Sequence, residues 1–233
     1  MSVLLHAPEL APMLSVLDAM RARHGASAVR GITPGLVVHD PVGWVPATRL
    51  VDGSAVPELL AAAHRRWGGS RHADAALAWK SYTYWVALPA VVGYAAMRQV
   101  PDMSPRNVLL RPHGEAPFLE VGVRAPRLVR PGDLRRTLLD EHLSPVLDRL
   151  REHVRLGRRT LLGSLASGAA LAVVRAQSAV PGRLAGSAQE VLSILGVDDL
   201  VEITPDEDVR RRTCCLAFTL PQPKICQGCC LRG

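Results

Sequence analysis

The chain has 233 residues and a formal net charge of +7. Hydrophobic residues make up 48% of it and charged residues 21%, which is typical of a folded globular protein and excludes disordered, collagen-like and disulfide-scaffold chains. A chain of this length hides roughly 70% of its unfolded surface, enough for one large core. The basic charge suits an acidic protein, an anionic membrane face or nucleic acid, and does not choose among them.

The first third of the chain predicts three helices. Apolar residues at helical spacing run from 9 to 24 and end at Gly25. Residues 31–53 are rich in proline and glycine and predict a loop with one strand. The second helix starts near Ser54 or Pro57 and ends at Gly68–Gly69, and the third covers 74–99.

The apolar run 85–97 in the third segment is a candidate membrane span. It is too short for a bilayer, Lys80 and Arg98 bracket it, and Pro89 interrupts it. A buried helix, kinked or restarted at Pro89, is therefore predicted, with no transmembrane segment. The Ala-rich stretch 163–180 predicts a second buried helix.

The middle of the chain predicts a hairpin followed by further helices. Residues 107–111 and 118–124 have strand character, and 112–114 read as the turn. Asp133 is expected to cap a helix over 134–143, Pro145 to begin another that runs to Leu156, and 189–195 to form a short one. The predicted fold class is α+β, mostly helical with a small central antiparallel sheet, divided into a helical domain over 1–205 and a cysteine-rich segment over 206–233.

All five cysteines lie in the last twenty residues, between Cys214 and Cys230. A secreted protein held by disulfides would spread its cysteines through the fold and carry a leader, and the first residues lack the features of a signal peptide. We therefore expect thiolate ligands in a reducing cytoplasm.

The spacing of the cysteines is C-C-x10-C-x2-C with one cysteine, Cys230, left over. Four thiolates suit a cluster of two irons and two sulfides, because each iron then takes two sulfurs. Gly228 favours a tight turn between the last pair. Adjacent cysteines in a straight strand point to opposite faces, so the first pair either sits at a bend or binds different irons.

Two other interpretations of this tail remain. Four cysteines near a terminus often bind zinc, although such sites generally use two C-x-x-C pairs that converge on one ion. A redox-active disulfide needs only one pair and leaves the second unexplained.

The tail resembles the C-terminal iron–sulfur segment of the FhuF-like ferric-siderophore reductases, whose pattern is C-C-x10-C-x2-C. The resemblance assigns the [2Fe-2S] ligands to Cys214, Cys215, Cys226 and Cys229. It implies a cytoplasmic enzyme that passes one electron from the cluster to Fe(III) in a hydroxamate siderophore and releases Fe(II). Its electron donor would be a ferredoxin or a nicotinamide-dependent flavoprotein reductase. Cys230 departs from the pattern and could stand in for Cys229.

Upstream of the tail, the chain resembles the family in the general type and order of its segments and not through a sharp motif. A helix rich in Trp and Tyr precedes the hairpin, and Ala/Gly-rich helices precede the tail. Its five aromatic residues are expected mostly in the core, with some faces open to a shallow cleft opposite the cluster. They are Trp79, Tyr82, Tyr84, Trp85 and Tyr94.

The remaining charged motifs admit ordinary interpretations. The cations that flank the cysteines, 210–212 and Lys224, either tune the cluster and dock an acidic donor or form a solvated stretch. The triplet 140–142 is expected on a solvated face, and His64 and His72 make a poor metal pair. The rival function is a non-enzymatic, zinc-tailed binding or regulatory module. The chain has no helix-turn-helix or basic–aromatic stripe, so no nucleic-acid partner is predicted.

Overall fold

The computed structural model describes residues 7–113, 117–182, 184, 186–226 and 228–232. It is an α+β fold, mostly helical, with small sheets packed around the helices. The helices are α1 (Ala11–His24), α2 (Thr48–Val51), α3 (Val56–Trp67), α4 (Arg71–Met97), α5 (Ser144–His153), α6 (Arg158–Ala179) and α7 (Ser187–Leu195), with a π-helix over Arg135–Leu143. The strands are β1 (Ile32–Val37), β2 (Val45–Pro46), β3 (Val100–Pro101), β4 (Val108–Pro112), β5 (Leu119–Val123), β6 (Leu128–Val129), β7 (Val201–Ile203) and β8 (Val209–Arg211).

Helices α1, α4 and α6 form the centre of the core. Helix α4 packs along α6, and both contact α1. Because α4 is apolar on nearly every face, it is buried on nearly every face, as a central helix must be. The indole N–H of Trp79 donates to the carbonyl oxygen of Leu161 over 2.7 Å and joins the two central helices.

The predicted helices of the first third are confirmed. Helix α1 is followed by Gly25 at φ 81°, a backbone conformation that favours glycine. Helix α4 begins after Ser70, whose side chain accepts a hydrogen bond from the N–H of Ala73 over 3.2 Å. It continues through Pro89 and does not restart there. Packing on both sides of the proline outweighs the one backbone hydrogen bond that proline removes.

The described helices include none whose length and apolarity would allow it to cross a bilayer. The two apolar segments singled out from the sequence lie in α4 and α6, which are buried against each other. Their hydrophobicity is therefore accounted for by the core.

The predicted hairpin is confirmed as β4 and β5, which pair antiparallel with Leu110 opposite Val121. Gly114 of its predicted turn lies outside the described residues. The sheet has the order β1-β5-β4-β2, and β1 runs parallel to β5, so the sheet is mixed and not purely antiparallel. The segment 31–53 supplies two of its strands where one was expected, because its short apolar runs pair with the edges of the hairpin.

The prediction of a capped α-helix over 134–143 is wrong in detail. The segment is a π-helix that runs directly into α5, and the side chain of Asp133 caps nothing but pairs with Arg136. The N–H of Ser144 donates to the carbonyl of Leu139, five residues back. Pro145 follows and has no N–H, so it cannot donate the α-helical hydrogen bond to the carbonyl four residues back.

The C-terminal segment packs against the start of α4. Strands β7 and β8 pair antiparallel beside α6, and the expected boundary at 205/206 falls between them. After β8 the tail forms a small apolar cluster with α4, separate from the main core. Its members are Ala73, Leu77, Cys215, Ala217 and Leu220. This cluster brings the cysteines to the surface of the helical body.

Candidate metal centre

The first two cysteines sit at a bend. Cys214 and Cys215 come three residues after β8, and Leu216 has φ 61°, a left-handed conformation that turns the chain directly after them. The N–H of Leu216 donates to the Sγ of Cys214 over 3.3 Å. Cys215 is buried in the apolar cluster, whereas Cys214 is half-buried. The bend therefore gives the two adjacent thiols different surroundings.

The last cysteines are held on a tight turn against β8. The N–H of Cys229 donates to the carbonyl of Cys226 over 3.1 Å, and the N–H of Arg211 donates to the carbonyl of Gly228 over 2.9 Å. A Cβ added at Gly228 would lie 1.9 Å from the carbonyl oxygen of Val209. Only glycine permits this approach, so its place in the C-x2-C turn is explained by contact with the strand.

The thiols fall into two groups. Cys230 contacts Cys214 and Cys229: burial, together with these two neighbouring thiols, raises the pKa of Cys230, while Arg211 acts in the opposite direction. Cys215 and Cys226 instead line one cavity of about 220 Å³. All five cysteines are free thiols. A redox-active pair is a dithiol in its reduced state, so the redox-disulfide interpretation stays a prediction.

A positive charge lies beside the second group. The Nζ of Lys80, on α4, is 4.0 Å from the Sγ of Cys215. Lys80 and Lys224 both line the smaller cavity. In the sequence Lys80 marks only the boundary of an apolar run, because nothing there places residue 80 next to residue 215.

A larger cavity of about 590 Å³ opens next to the smaller one, and Cys226 lines both. Its apolar wall comes from the C-terminal end of α3, from α4 and from α6, and consists of Trp67, Leu77, Tyr84, Trp85 and Leu171. This volume is in the range of small-molecule sites. Of the five aromatic residues expected to divide between core and cleft, Tyr84 and Trp85 line this cavity, and Trp79 and Tyr82 lie in the core.

Tyr94 has a third position. Its hydroxyl donates to a carboxylate oxygen of Glu190 over 3.4 Å, and the guanidinium of Arg98 lies over its ring at 5.0 Å. It lines neither cavity. Trp67, by contrast, lines both cavities. The sequence did not predict this, because the position of Trp67 before Gly68 indicates only the end of a helix.

The larger cavity is lined by cations more than by carboxylates. Lys80, Arg175, Arg210 and Arg211 line it together with Glu207 and Asp208. A solvated stretch was one of the two interpretations of the cations 210–212, and for Arg211 it is wrong, because only 6% of this residue is exposed. Strand alternation explains the difference: in β8 the side chain of Arg210 faces solvent and that of Arg211 faces α6.

The triplet 140–142 is split by the π-helix. Asp140 and Glu141 are exposed and pair with Arg135 and Arg136, as a solvated face predicts. His142 is fully buried, which corrects the expectation for it. His64, also singled out, pairs with the buried carboxylate of Asp74 over 2.8 Å.

Among the described residues no three His, Cys, Asp or Glu side chains form a group that could hold a metal ion. The five thiols of the tail contain the four that either zinc or a two-iron cluster would take as ligands. Both interpretations of the tail therefore stay predictions.

Comparison with models of known protein families and with curated proteins finds no match to this chain.

Proposed function

We propose that the protein is a ferric-siderophore reductase that transfers one electron from a [2Fe-2S] cluster in its C-terminal tail to Fe(III). The observation that carries the proposal is the position of Cys226, which lines both the thiol-bearing cavity and the larger, aromatic-walled cavity. A cluster ligand at this position would lie at the wall of a site that is large enough for a small-molecule complex. Electron transfer then needs no further catalytic side chain.

The proposed ligands are Cys214, Cys215, Cys226 and Cys229. When bound, the cluster would supply one electron for the reduction of Fe(III) to Fe(II), which binds hard oxygen donors more weakly and is released. The grouping of the thiols favours Cys215 and Cys226 as the ligands of one iron, and Cys214 and Cys229 as the ligands of the other. Cys230, in contact with this second pair, is a spare thiol that can replace Cys229.

The rest of the chain would hold the substrate and the tail in place. Trp67, Tyr84 and Trp85 offer ring faces to a bound complex and exclude water from its side of the cavity. The hydrogen bond between Arg211 and Gly228 fixes the cysteine turn on β8. The cations around the thiols, Lys80 above all, would stabilise the negative charge of a thiolate cluster and so favour its reduction.

An external electron donor must reduce the cluster again after each transfer. A cytoplasmic ferredoxin or a nicotinamide-dependent flavoprotein reductase would serve as this donor. Arg210, Arg212 and Lys224 are exposed beside the cysteines and carry the charge that attracts an acidic donor. Phe218 and Ile225, also on the tail, are 40% and 51% exposed and supply apolar contacts.

Anaerobic purification followed by iron, sulfide and zinc analysis and a visible spectrum tests the proposal. We expect about two irons and two sulfides per chain, bleaching on reduction, and return of the colour on addition of a ferric siderophore complex. Cys226→Ser should abolish both colour and reduction, because oxygen is a poor substitute for a cluster thiolate. Cys230→Ser is the matched control and should keep both.

A colourless protein that contains only zinc would overturn the proposal and favour the zinc-tailed binding module. A coloured protein that ferric complexes do not reoxidise would leave the cluster in place and exclude the reductase. Retained colour after Cys226→Ser would remove that residue from the ligand set.

A further inference from the structure

Cys230 is the thiol that the proposed ligand set does not use, and it contacts two of the thiols in that set. Its Sγ donates a hydrogen bond to the Sγ of Cys214, and the thiol of Cys229 lies next to it. All three are free and half-buried, so each is partly open to solvent. The fifth thiol of the tail is therefore placed where it can react with a neighbour.

The backbone fixes Cys214 and Cys230 in this arrangement. Three residues before Cys214, the N–H of Arg211 donates to the carbonyl of Gly228 over 2.9 Å, which brings the turn that ends at Cys230 against β8. On the other side of Cys214, the N–H of Leu216 donates to its Sγ over 3.3 Å. The contact between the two sulfurs thus follows from the way the tail folds back on the strand.

Geometry favours one pair of cysteines for a disulfide. A disulfide joins Cα atoms that are about 4.4–6.8 Å apart, whereas the Cα atoms of neighbouring residues are about 3.8 Å apart. Bonds between Cys214 and Cys215 and between Cys229 and Cys230 are therefore disfavoured. Cys215 is moreover buried in its apolar cluster. The pair Cys214 and Cys230 meets both conditions, since the sulfurs are in contact and the residues are distant along the chain.

We propose that Cys214 and Cys230 form a reversible disulfide in the metal-free protein, and that this bond keeps the tail from binding metal until it is reduced. Such a bond goes beyond the proposed function and does not depend on it, because it takes the thiol of Cys214 from a zinc site as well as from an iron–sulfur cluster. It also protects the two sulfurs from oxidation to sulfinic and sulfonic acids.

A small disulfide, such as glutathione disulfide, is the oxidant. The thiolate of one cysteine attacks it, forms a mixed disulfide and releases one glutathione. The second cysteine then attacks the protein sulfur of the mixed disulfide and releases the other glutathione. The two protein thiols lose two electrons and two protons in all, and the small disulfide takes up both. An excess of reduced thiol reverses the exchange.

Differential alkylation of the wild-type protein tests the pairing. The protein is reduced, freed of metal with a chelator and equilibrated with glutathione disulfide, and its remaining thiols are blocked in denaturant with a light alkylating reagent. The disulfides are then reduced and labelled with the heavy form of that reagent. Trypsin separates the first two cysteines, in peptide 213–224, from the others, in 225–232. We expect heavy label on Cys214 and Cys230, and light label on Cys215, Cys226 and Cys229.

Two variants check the assignment without the heavy label. Cys230→Ser should lose the disulfide-linked pair of peptides, because the partner of Cys214 is gone. Cys229→Ser is the matched control, one residue away, and should keep the linked pair. Heavy label on Cys229 in place of Cys230, label spread evenly over the five cysteines, no heavy label at all, or a linked pair that persists in Cys230→Ser would overturn the pairing.

Zinc ions alone measure the effect on metal binding. The reduced protein should retain zinc against a competing chelator, because its thiols are free to bind, and the oxidised protein should release zinc until dithiothreitol is added. Cys230→Ser, exposed to glutathione disulfide in the same way, should retain it. Equal retention by the oxidised and reduced wild-type protein would overturn the proposed block.

These outcomes are distinct from those that decide the proposed function. A disulfide between Cys214 and Cys230 in a protein that never holds iron would support the switch and refute the reductase. A coloured protein that reduces ferric complexes but forms no such disulfide when metal-free would support the reductase and overturn the switch.

Discussion

Tyr82 and His142 lie fully buried between α4 and the π-helix. The Nδ1 of His142 is 2.5 Å from the carbonyl oxygen of Met103, and its Nε2 is 2.5 Å from the hydroxyl of Tyr82. A carbonyl only accepts, so Nδ1 donates, and Nε2 accepts the tyrosine proton. Both ring nitrogens are satisfied in the neutral imidazole, and burial lowers the pKa of His142 to about 4, against the raising effects of Met103 and Asp102.

This pair predicts an acid-sensitive stability. Between pH 6.5 and about 4 the unfolded chain binds a proton at His142 and the folded chain does not, so the free energy of unfolding falls as the pH falls. At the lower end of this pH range, the loss of unfolding free energy due to His142 reaches about 3 kcal/mol. Above pH 6.5 it is constant. Urea unfolding at a series of pH values measures the effect.

His142→Gln supplies the control for that series, since an amide keeps a polar group at the site and does not titrate. The difference in pH slope between the two proteins isolates His142 from the other seven histidines. Identical slopes between pH 4 and 6.5 would contradict the prediction.

At the scale of elements, α6 and the tail depend on one close contact. A Cβ added at Gly163 of α6 would lie 1.9 Å from the Oγ1 of Thr213, the residue directly before the cysteines. Thr213 is buried at this point. The small residue in α6 therefore lets the start of the tail lie against the helix, and this contact places the thiols beside the cavities.

Gly163→Ala should displace the tail from α6 and destabilise the protein by about 1–3 kcal/mol, the usual cost of overpacking a buried contact. Hydrogen exchange over 211–226 should rise more than in the rest of the chain. The control is Gly168→Ala on the same helix, where the new methyl group would meet only Tyr84, at an ordinary distance of 3.5 Å. Equal stability and exchange in the two variants would show that the contact at Gly163 does not hold the tail.

At the scale of the whole molecule, the net charge of +7 and the exposed basic tail concern the approach of a partner. Arg210 and Lys224 are exposed near the cysteines, and each also lines one of the two cavities, whereas Arg211 is buried. Under the proposed function, the exposed cations are the ones that an acidic partner would meet.

If an acidic ferredoxin docks on the exposed cations, its rate of electron transfer should fall by tenfold or more as ionic strength rises from about 0.02 to 0.5 M, because salt screens the attraction. Lys224→Glu should lower the rate at low salt and weaken its salt dependence. Arg21→Glu, on an exposed site of α1, is the control for net charge alone. A rate independent of salt would exclude electrostatic docking at the tail.

The order of the helices and the position of the hairpin follow from the sequence alone. Apolar periodicity and the glycines after it define α1 and α3, and alternating apolar runs define the β4–β5 hairpin. The cysteine spacing predicts a metal-binding tail. These are local signals, since each depends on neighbours within a few residues.

What only the tertiary structure decided depends on contacts between distant segments. Burial of His142 follows from the π-helix that precedes α5, and burial of Arg211 follows from the pairing of β8 with β7, which cannot be recognised in a run of charged residues. Lys80 meets Cys215 across 135 residues of chain. The grouping of the thiols also depends on distant contacts. The sequence gives the number of residues between the cysteines, but the direction of each sulfur is determined by the helix and strand against which the tail packs.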